Sequence, residues 1–357
     1  MIRLAIIGTG GMAHGHADNF GRMKGVRLTA CCDVVKAKAE EFAAKWKIPA
    51  AYGDFRQMLA KETLDAVSVV TTDAAHAAAS IAAAKKGLHV MCEKPLATSV
   101  AEARRMLAAV RKAGVINMVN FSYRNSCGLQ AAAKVVAAGG IGRVIHVESS
   151  YLQSWLVSRV WGDWRKNPAL LWRLSSRHGS LGTLGDIGCH ILDMTAFLGG
   201  EIDQIACQLK TFDKGVKGNR LGEYVFDAND SFAATLGFAG GGLGAIHSSR
   251  WACGHLNSLR ARVYGDKGGI EVDLDRDGSG YRICSGHEAV EKGLWKEVKC
   301  PPTPNNYQRF IRAIRTGRPD ASDFANGLKV QTYLACCVAS DRAGKPVRVG
   351  AGSSARP

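Results

Sequence analysis

A glycine-rich turn near the start of the chain constrains its fold more than any other feature. The turn reads Gly8, Thr9, Gly10, Gly11, Met12 and Ala13, which fits the pattern G-x-G-x-x-A. A short apolar strand over residues 3–7 precedes it, and a helix is predicted over residues 12–23. A second strand ends on Asp33, 20 residues past Ala13. This order predicts a βαβ unit that binds a dinucleotide.

The residues of this unit have separate roles. Gly8 permits the tight turn, Gly10 lets a pyrophosphate approach the backbone, and the helix N-terminus offers free N–H groups to the phosphates. Asp33 can accept both ribose hydroxyls, and its carboxylate repels a 2′-phosphate. We therefore predict that residues 8–12 and Asp33 bind NAD. Because two lysines lie near Asp33 in the sequence, NADP remains an alternative cofactor.

Strands and helices continue to alternate up to about residue 120, and several of the strands are continuously apolar. Such alternation is typical of an α/β Rossmann domain with a doubly wound parallel sheet, which we place at residues 1–123. Past residue 193 the chain changes to short segments with turn residues at their ends, typical of an antiparallel sheet. Residues 124–350 are predicted to form a second, α+β domain, and residues 351–357 a flexible tail.

Composition excludes several classes of partner. The 357 residues include 47 Lys plus Arg and 31 Asp plus Glu, for a net charge of +16, spread over both halves without a long basic run. We therefore predict no nucleic-acid partner. No run of about 18 apolar residues occurs, which predicts no association with a membrane. The 11 cysteines form no C-x-x-C pair, which favours a cytoplasmic protein with reduced thiols and no metal site.

Three further motifs follow the glycine turn. They are Thr71-Thr72-Asp73-Ala74-Ala75-His76, Glu93-Lys94-Pro95, and Gly185-Asp186-Ile187-Gly188-Cys189-His190-Ile191-Leu192-Asp193. In this order the chain resembles the Gfo/Idh/MocA oxidoreductases. The resemblance to their levoglucosan dehydrogenase branch rests on three further segments: Tyr151-Leu152-Gln153-Ser154-Trp155, Leu171-Trp172-Arg173 and Leu184-Gly185-Asp186-Ile187. The resemblance implies a second domain built on a large open, mainly antiparallel sheet, and a sugar, anhydrosugar or cyclitol substrate. Thr72-Asp73 stands where the family commonly has Pro-Asn, a departure that concerns the contacts on the adenosine side.

The resemblance places the catalytic residues at Lys94, Asp186 and His190. Positions 186, 190 and 193 would share one face of a helix. A hydride leaves a carbinol carbon only as the hydroxyl proton is removed, and histidine titrates near neutral pH. We expect His190 to take the proton, Asp186 to orient the substrate or the imidazole, and Lys94 to hydrogen-bond the reacting oxygen. Lys94 is the alternative base, because burial and a neighbouring cation would lower its pKa.

Four of the seven tryptophans lie within residues 155–172, beside polar side chains that suit sugar hydroxyls. For any one of these tryptophans, packing in the core is an equal alternative. This segment and the resemblance together give the predicted substrate contacts: Arg124, Gln153, Trp155, Arg173, Asp186, His190 and Tyr307. The resemblance also adds predicted cofactor contacts: Thr71, Thr72, His76, Glu93, Lys94, Asn120, Trp172 and Arg173.

The expected activity is therefore NAD(P)-dependent oxidation of a sugar, anhydrosugar or cyclitol hydroxyl. Two alternatives share the fold: a redox glycosidase that returns the hydride, and a dinucleotide-binding regulator without catalysis. The presence of Lys94, Asp186 and His190 argues against a pure regulator, which needs no acid–base set. Relatives commonly assemble through the open sheet, so we also expect a homo-oligomer, either a dimer or a tetramer.

Overall fold

A computed structural model describes residues 1–350, which divide into two compact units. The first unit contains Met1–Ser122 and Pro304–Gln331, and the second contains Tyr123–Thr303 and the described residues from Thr332 onward. The sequence assigned residues 304–331 to the second domain, and the structure corrects this. The physical reason is that Tyr307 and its neighbours pack into the core of the first unit. The predicted tail, residues 351–357, lies outside the described residues.

Strands and helices alternate strictly over the first 122 residues. The elements are β1 (Ile2–Ile7), α1 (Gly11–Gly21), β2 (Val26–Cys32), α2 (Lys36–Trp46), β3 (Ala50–Tyr52), α3 (Phe55–Lys61), β4 (Ala66–Val69), α4 (Asp73–Lys85), β5 (His89–Cys92), α5 (Val100–Ala113) and β6 (Asn117–Val119).

Strands predominate between residues 123 and 303. The elements are α6 (Cys127–Ala137), β7 (Val144–Leu152), α7 (Pro168–Leu171), α8 (Cys189–Gly199), β8 (Ile202–Lys210), β9 (Arg220–Leu221), β10 (Tyr224–Val225), β11 (Ser231–Phe238), β12 (Leu243–Ser249), β13 (Ser258–Gly265), β14 (Gly268–Asp273), β15 (Gly280–Ser285), α9 (His287–Lys292) and β16 (Lys296–Lys299). The remaining elements are α10 (Asn306–Thr316), α11 (Phe324–Ala343) and β17 (Val347–Arg348).

The first unit is built on a six-stranded sheet in the order β3-β2-β1-β4-β5-β6. Every pairing in it is parallel. Its central strands are mostly apolar because helices cover both faces; Leu4, Ala5 and Ile6 in β1 are fully buried. The predicted doubly wound fold is confirmed. The sequence did not predict β3 and α3. The three residues of β3 are too few to show a period, and α3 has only seven residues.

Helix α5 shows how local signals define these elements. The Ser99 hydroxyl accepts a hydrogen bond from the Glu102 N–H at the N-terminus, and Gly114 ends the helix in the left-handed region at φ 66°. Buried residues recur every three or four positions: Val100, Ala103, Met106, Leu107 and Val110. Of the helices described, including the 20 residues of α11, none combines the length and apolarity needed to cross a membrane.

The second unit is built on a nine-stranded sheet in the order β16-β15-β14-β13-β7-β12-β11-β8-β17. The β7–β12 pairing is parallel, and the other pairings are antiparallel. Burial alternates along β11, where Phe232, Ala234, Leu236 and Phe238 face the core and the alternate residues do not. Helix α8 packs against β7 and β13. The predicted large, mainly antiparallel sheet is confirmed.

Candidate active site

The glycine turn of the first unit forms a cradle at the N-terminus of α1. Gly8 has φ +95°, and a Cβ there would lie 2.5 Å from the Val70 carbonyl oxygen, so only glycine fits. Gly10 and Gly11 differ, because a Cβ on either would have no neighbour within 4 Å among the residues that the structure describes. The open space above these glycines and the free N–H groups of α1 fit a pyrophosphate.

The Asp33 carboxylate, at the end of β2, is held by the same turn. One oxygen accepts hydrogen bonds of 2.9 Å from both the N–H and the hydroxyl of Thr9, and the other accepts one of 3.0 Å from the Val35 N–H. Partial burial alone would raise the pKa of Asp33, but these hydrogen bonds outweigh it and lower the pKa below its ordinary value. Asp33 therefore carries a negative charge at neutral pH. Met12, also predicted to contact the cofactor, is 58% exposed.

Thr71, Thr72 and His76 lie around the N-terminus of α4. Thr71 and Thr72 are at least partly exposed. His76 is fully buried, and its ring nitrogens lie 2.9 Å from the Pro95 carbonyl oxygen and 3.2 Å from that of Thr71. The predicted cofactor contact of His76 stays a prediction. Because no ring atom reaches the surface, its role is to join the ends of β4 and β5.

Glu93 and Lys94 follow β5 directly, and Glu93 belongs to a buried polar network. One Glu93 oxygen accepts from Asn120 at 2.6 Å and lies 2.8 Å from His16 Nε2, while His16 Nδ1 lies 2.8 Å from the Ser68 hydroxyl. Burial alone would raise the pKa of Glu93, but His16 and Asn120 lower it to about 2. The other Glu93 oxygen accepts from the Lys94 N–H at 3.2 Å, so this network fixes the backbone that presents Lys94.

Lys94 is partly exposed at the carboxyl end of β5, where open parallel sheets bind ligands. The Lys94–Pro95 peptide bond is cis. Asn120 and Tyr307, predicted to contact cofactor and substrate, are 2% and 7% exposed, and the Tyr307 hydroxyl accepts from the Asn120 amide at 3.2 Å. Burial raises the pKa of Tyr307 to about 12. These two residues belong to the polar network around Glu93, and their predicted direct contacts with cofactor and substrate stay predictions.

In the second unit, Asp186 lies on a π-helical turn, Leu184–Gly188, that runs into α8. Such turns are rare and occur mostly at functional sites. Glycine at position 188 lets this turn pack closely against Phe232, since a Cβ on Gly188 would lie 2.9 Å from the Phe232 ring. The sequence predicted a continuous α-helical face through 186, 190 and 193, and the π-helical turn corrects this spacing.

Two arginines surround the Asp186 carboxylate. Arg250 Nη2 lies 2.9 Å from one oxygen, and Arg173 Nη1 lies 3.8 Å from the other. Arg250 is fully buried and its guanidinium lies over the Trp155 ring at 5.0 Å, whereas the partly exposed Arg173 lies over the Trp172 ring at 4.7 Å. Sequence reasoning missed Arg250 because it follows β12, outside every motif.

His190 is 6% exposed at the start of α8, enclosed by two tyrosine rings. The Tyr123 ring meets the imidazole edge-on at 4.8 Å, and the Tyr151 ring lies at 6.2 Å. The two phenols are hydrogen-bonded to each other, and Tyr151 donates to the Asn257 side-chain carbonyl at 2.7 Å. Gln153 donates to the same carbonyl at 2.8 Å. Burial raises the pKa of Tyr151, so this phenol beside His190 is neutral at neutral pH.

The structure pairs Arg124 with Asp193 in a buried salt bridge. Arg124 Nε and Nη2 donate to the two Asp193 oxygens at 2.7 and 2.8 Å, and the residues are 4% and 3% exposed. The predicted substrate contact of Arg124 stays a prediction. A buried guanidinium needs a carboxylate partner, and Asp193 on α8 supplies it.

The tryptophans divide between core and surface. Trp155 and Trp164 are 3% and 2% exposed and belong to one apolar cluster, so packing explains them better than sugar contact. Trp161 is 42% exposed, and Trp172 is partly exposed beside Arg173. Within residues 1–350, no cluster of three or more His, Cys, Asp or Glu side chains is arranged to hold a metal ion.

Comparison with known proteins agrees with this geometry. Residues 2–121 match the oxidoreductase family with an NAD-binding Rossmann fold, which defines the class of the first unit. Residues 129–271 match the Gfo/Idh/MocA C-terminal domain. The chain therefore belongs to the Gfo/Idh/MocA oxidoreductase family, and its first unit is an NAD-binding domain.

Similar proteins include several dehydrogenases. Levoglucosan dehydrogenase of Pseudarthrobacter phenanthrenivorans is 28% identical over 328 residues, covering 82% of each chain. Myo-inositol 2-dehydrogenase of Thermotoga maritima is 28% identical over 334 residues, covering 91% of this chain and 92% of that protein. A solved structure of levoglucosan dehydrogenase with NADH and levoglucosan has a TM-score of 0.86 at 25% identity, covering 98% of this chain and 99% of that one.

Proposed function

We propose that this protein is an NAD-dependent dehydrogenase that oxidises one CH–OH carbon of a sugar, anhydrosugar or cyclitol. The observation that carries the proposal is His190, a buried imidazole held between two phenols just after the π-helical turn that presents Asp186. A dinucleotide-binding protein without catalysis has no need of such a group. Relatives named for levoglucosan and myo-inositol support the substrate class.

Three side chains carry the proposed proton chemistry. Bound NAD supplies the hydride acceptor. His190 takes the proton of the substrate hydroxyl, since imidazole titrates near neutral pH. Asp186 accepts a hydrogen bond that orients the substrate, and Lys94 donates to the reacting oxygen and stabilises its developing negative charge. Lys94 remains the alternative base, and the variants below separate the two roles.

Asp33 supports NAD over NADP as the cofactor. Its carboxylate is ionised at neutral pH and lies beside the turn that would hold the dinucleotide. A 2′-phosphate would meet this negative charge, whereas a ribose hydroxyl could donate a hydrogen bond to it. We expect a lower Kd for NAD than for NADP, measured by calorimetry on the same preparation.

A spectrophotometric screen tests the proposal. Purified protein is mixed with NAD or NADP and with neutral monosaccharides, levoglucosan, inositols and sugar acids, while reduced nicotinamide is followed. Formation of NADH with one substrate class is the expected result. A silent panel together with NAD binding would contradict the dehydrogenase, and glycoside hydrolysis would then separate a redox glycosidase from a regulator.

Substitution tests the residue roles. His190→Ala and Lys94→Ala should each lower kcat about a hundredfold or more and leave the Kd of NAD nearly unchanged. The matched controls are His287→Ala and Lys86→Ala, which remove an exposed residue of the same type from the same unit. If the rate rises with pH in wild type but not in one variant, that residue is the base. Wild-type turnover in both variants would remove the mechanism.

We also propose a cytoplasmic homo-oligomer that assembles through the open face of the large sheet. The free thiols of all 11 cysteines, each within the described residues, support a reducing compartment. Exposed Leu243 and partly exposed residues of β11 and β12 support contact through the sheet. Light scattering should give the mass of a dimer or tetramer, and a monomer mass would refute the assembly.

A further inference from the structure

Arg250 is a fully buried guanidinium with its charge directed at the π-helical turn. It donates from Nη2 to Asp186 at 2.9 Å and to the Gly182 carbonyl at 3.3 Å, and from Nη1 to the Arg173 carbonyl at 3.1 Å. These three acceptors bracket the segment that presents Asp186. Its guanidinium also lies over the Trp155 ring, which restricts its rotation.

The charge of Arg250 requires Asp186 as its counter-ion. Burial lowers the pKa of Arg250, and its Nε has no hydrogen-bond partner within residues 1–350. The other nearby carboxylate, Asp230, is paired with the fully buried Lys214 at 2.7 Å. Asp186 therefore faces the nearby cations Arg250 and Arg173, and this excess of positive charge favours its ionised form.

We propose that Arg250 is a positioning residue that keeps Asp186 ionised and fixes the direction of its carboxylate. This inference rests on the proposed dehydrogenase function. An ionised Asp186 held in this way accepts a hydrogen bond from the substrate hydroxyl but donates no proton. The proton of that hydroxyl then passes to His190 or Lys94 when the O–H bond breaks, and Asp186 stays a carboxylate throughout the reaction.

Chemical rescue tests this role. Arg250→Ala should lower kcat about a hundredfold, because a misplacement of about 1 Å at a reacting group costs that much. Guanidinium chloride at millimolar concentration should restore at least about a tenth of the lost rate by refilling the cavity. Urea has a similar shape without the charge and should restore little. Equal rescue by urea and guanidinium would overturn a role for the charge.

Two further variants distinguish positioning from general stability. If Arg250 acts through Asp186, Arg250→Ala should have little further effect on kcat in an Asp186→Asn background. Full additivity of the two losses would overturn the proposal. The control is Arg260→Ala, which removes an arginine from strand β13 of the same sheet; this arginine is paired with Asp273 at 2.7 Å and is 45% exposed. It should keep wild-type kcat.

Folding and function are separated within the same experiment. Arg250→Lys keeps the charge and should retain more activity than Arg250→Ala. If Arg250→Ala unfolds, the kcat of Arg250→Lys still tests the positioning role. If wild type turns over no sugar, the proposed dehydrogenase fails and the positioning role fails with it. If wild type is active and both Arg250 variants keep kcat within about threefold, the positioning role alone is refuted.

Discussion

Alanine at Gly8 should lower stability far more than alanine at Gly10, although the two positions are neighbours in one turn. At Gly8 the backbone has φ +95° and the new Cβ would lie 2.5 Å from the Val70 carbonyl oxygen. A non-glycine residue in such a conformation costs roughly 1–3 kcal/mol, and the clash adds to it. We expect a loss of about 3 kcal/mol in the free energy of unfolding, which lowers Tm by about 6–12 °C.

Gly10 has φ −70°, and a Cβ there would have no neighbour within 4 Å. Alanine in this N-cap position destabilises the folded protein by about 0.5–1 kcal/mol, because capping is poorer. It also lowers the conformational entropy of the unfolded chain, which stabilises the folded protein by about 0.4–1 kcal/mol. Stability should therefore hardly change. The methyl group would instead occupy the space into which a pyrophosphate approaches. The Kd of NAD should rise at least about tenfold, or about 1.4 kcal/mol.

Thermal unfolding with and without NAD, together with calorimetric titration, separates the two effects. The control is Gly21→Ala at the end of α1, where the nearest atom to the new Cβ is Leu28 Cδ1 at the ordinary distance of 3.7 Å. This variant should keep both Tm and NAD affinity. Wild-type stability in Gly8→Ala, or wild-type NAD affinity in Gly10→Ala, would refute the reasoning from the turn geometry.

Two further predictions concern buried charges. The pKa of Glu93 falls from 4.5 to about 2 on folding, so its stabilisation is present above about pH 4.5 and is lost as the pH falls towards 2. Urea unfolding should show a shallower loss of stability over that range in Glu93→Gln, and an unchanged slope would contradict the depressed pKa. Arg124→Met leaves the Asp193 carboxylate buried without its guanidinium and should cost about 3–5 kcal/mol in denaturant unfolding. Arg124→Met with Asp193→Leu should recover most of this loss, and a double variant less stable than the single one would count against the pair.

The local signals of the chain predicted the first unit because each lies within a few residues of the element it defines. The predicted strand at 3–7 and helix at 12–23 agree with Ile2–Ile7 and Gly11–Gly21 to within about two residues. Strand β3 was missed because no periodicity can appear in three residues. Residues 304–331 were misassigned because an amphipathic helix does not indicate which sheet it packs against.

In the candidate site, motifs predicted positions but not burial. Nothing in the motif around Glu93 shows that this side chain turns inward to His16, 77 residues earlier in the chain. Arg250 and Asn257 reach Asp186 and Tyr151 across the sheet of the second unit, at separations of 64 and 106 residues. A single sequence carries no signal for such pairs, since neither Arg250 nor Asn257 belongs to a motif or a periodic segment.

The return of residues 304–331 to the first unit has a consequence for synthesis on the ribosome. Tyr307, Phe310 and Ile311 complete the apolar cluster around Phe20, yet they are made long after it. At about 5–20 residues per second, the roughly 200 residues between Ser122 and Gln331 delay completion of this core by about 10–40 s. During that time the NAD-binding unit exposes apolar surface. A fragment cut at residue 122 would keep that surface exposed permanently, so expression of the nucleotide domain alone requires that residues 304–331 be joined to it.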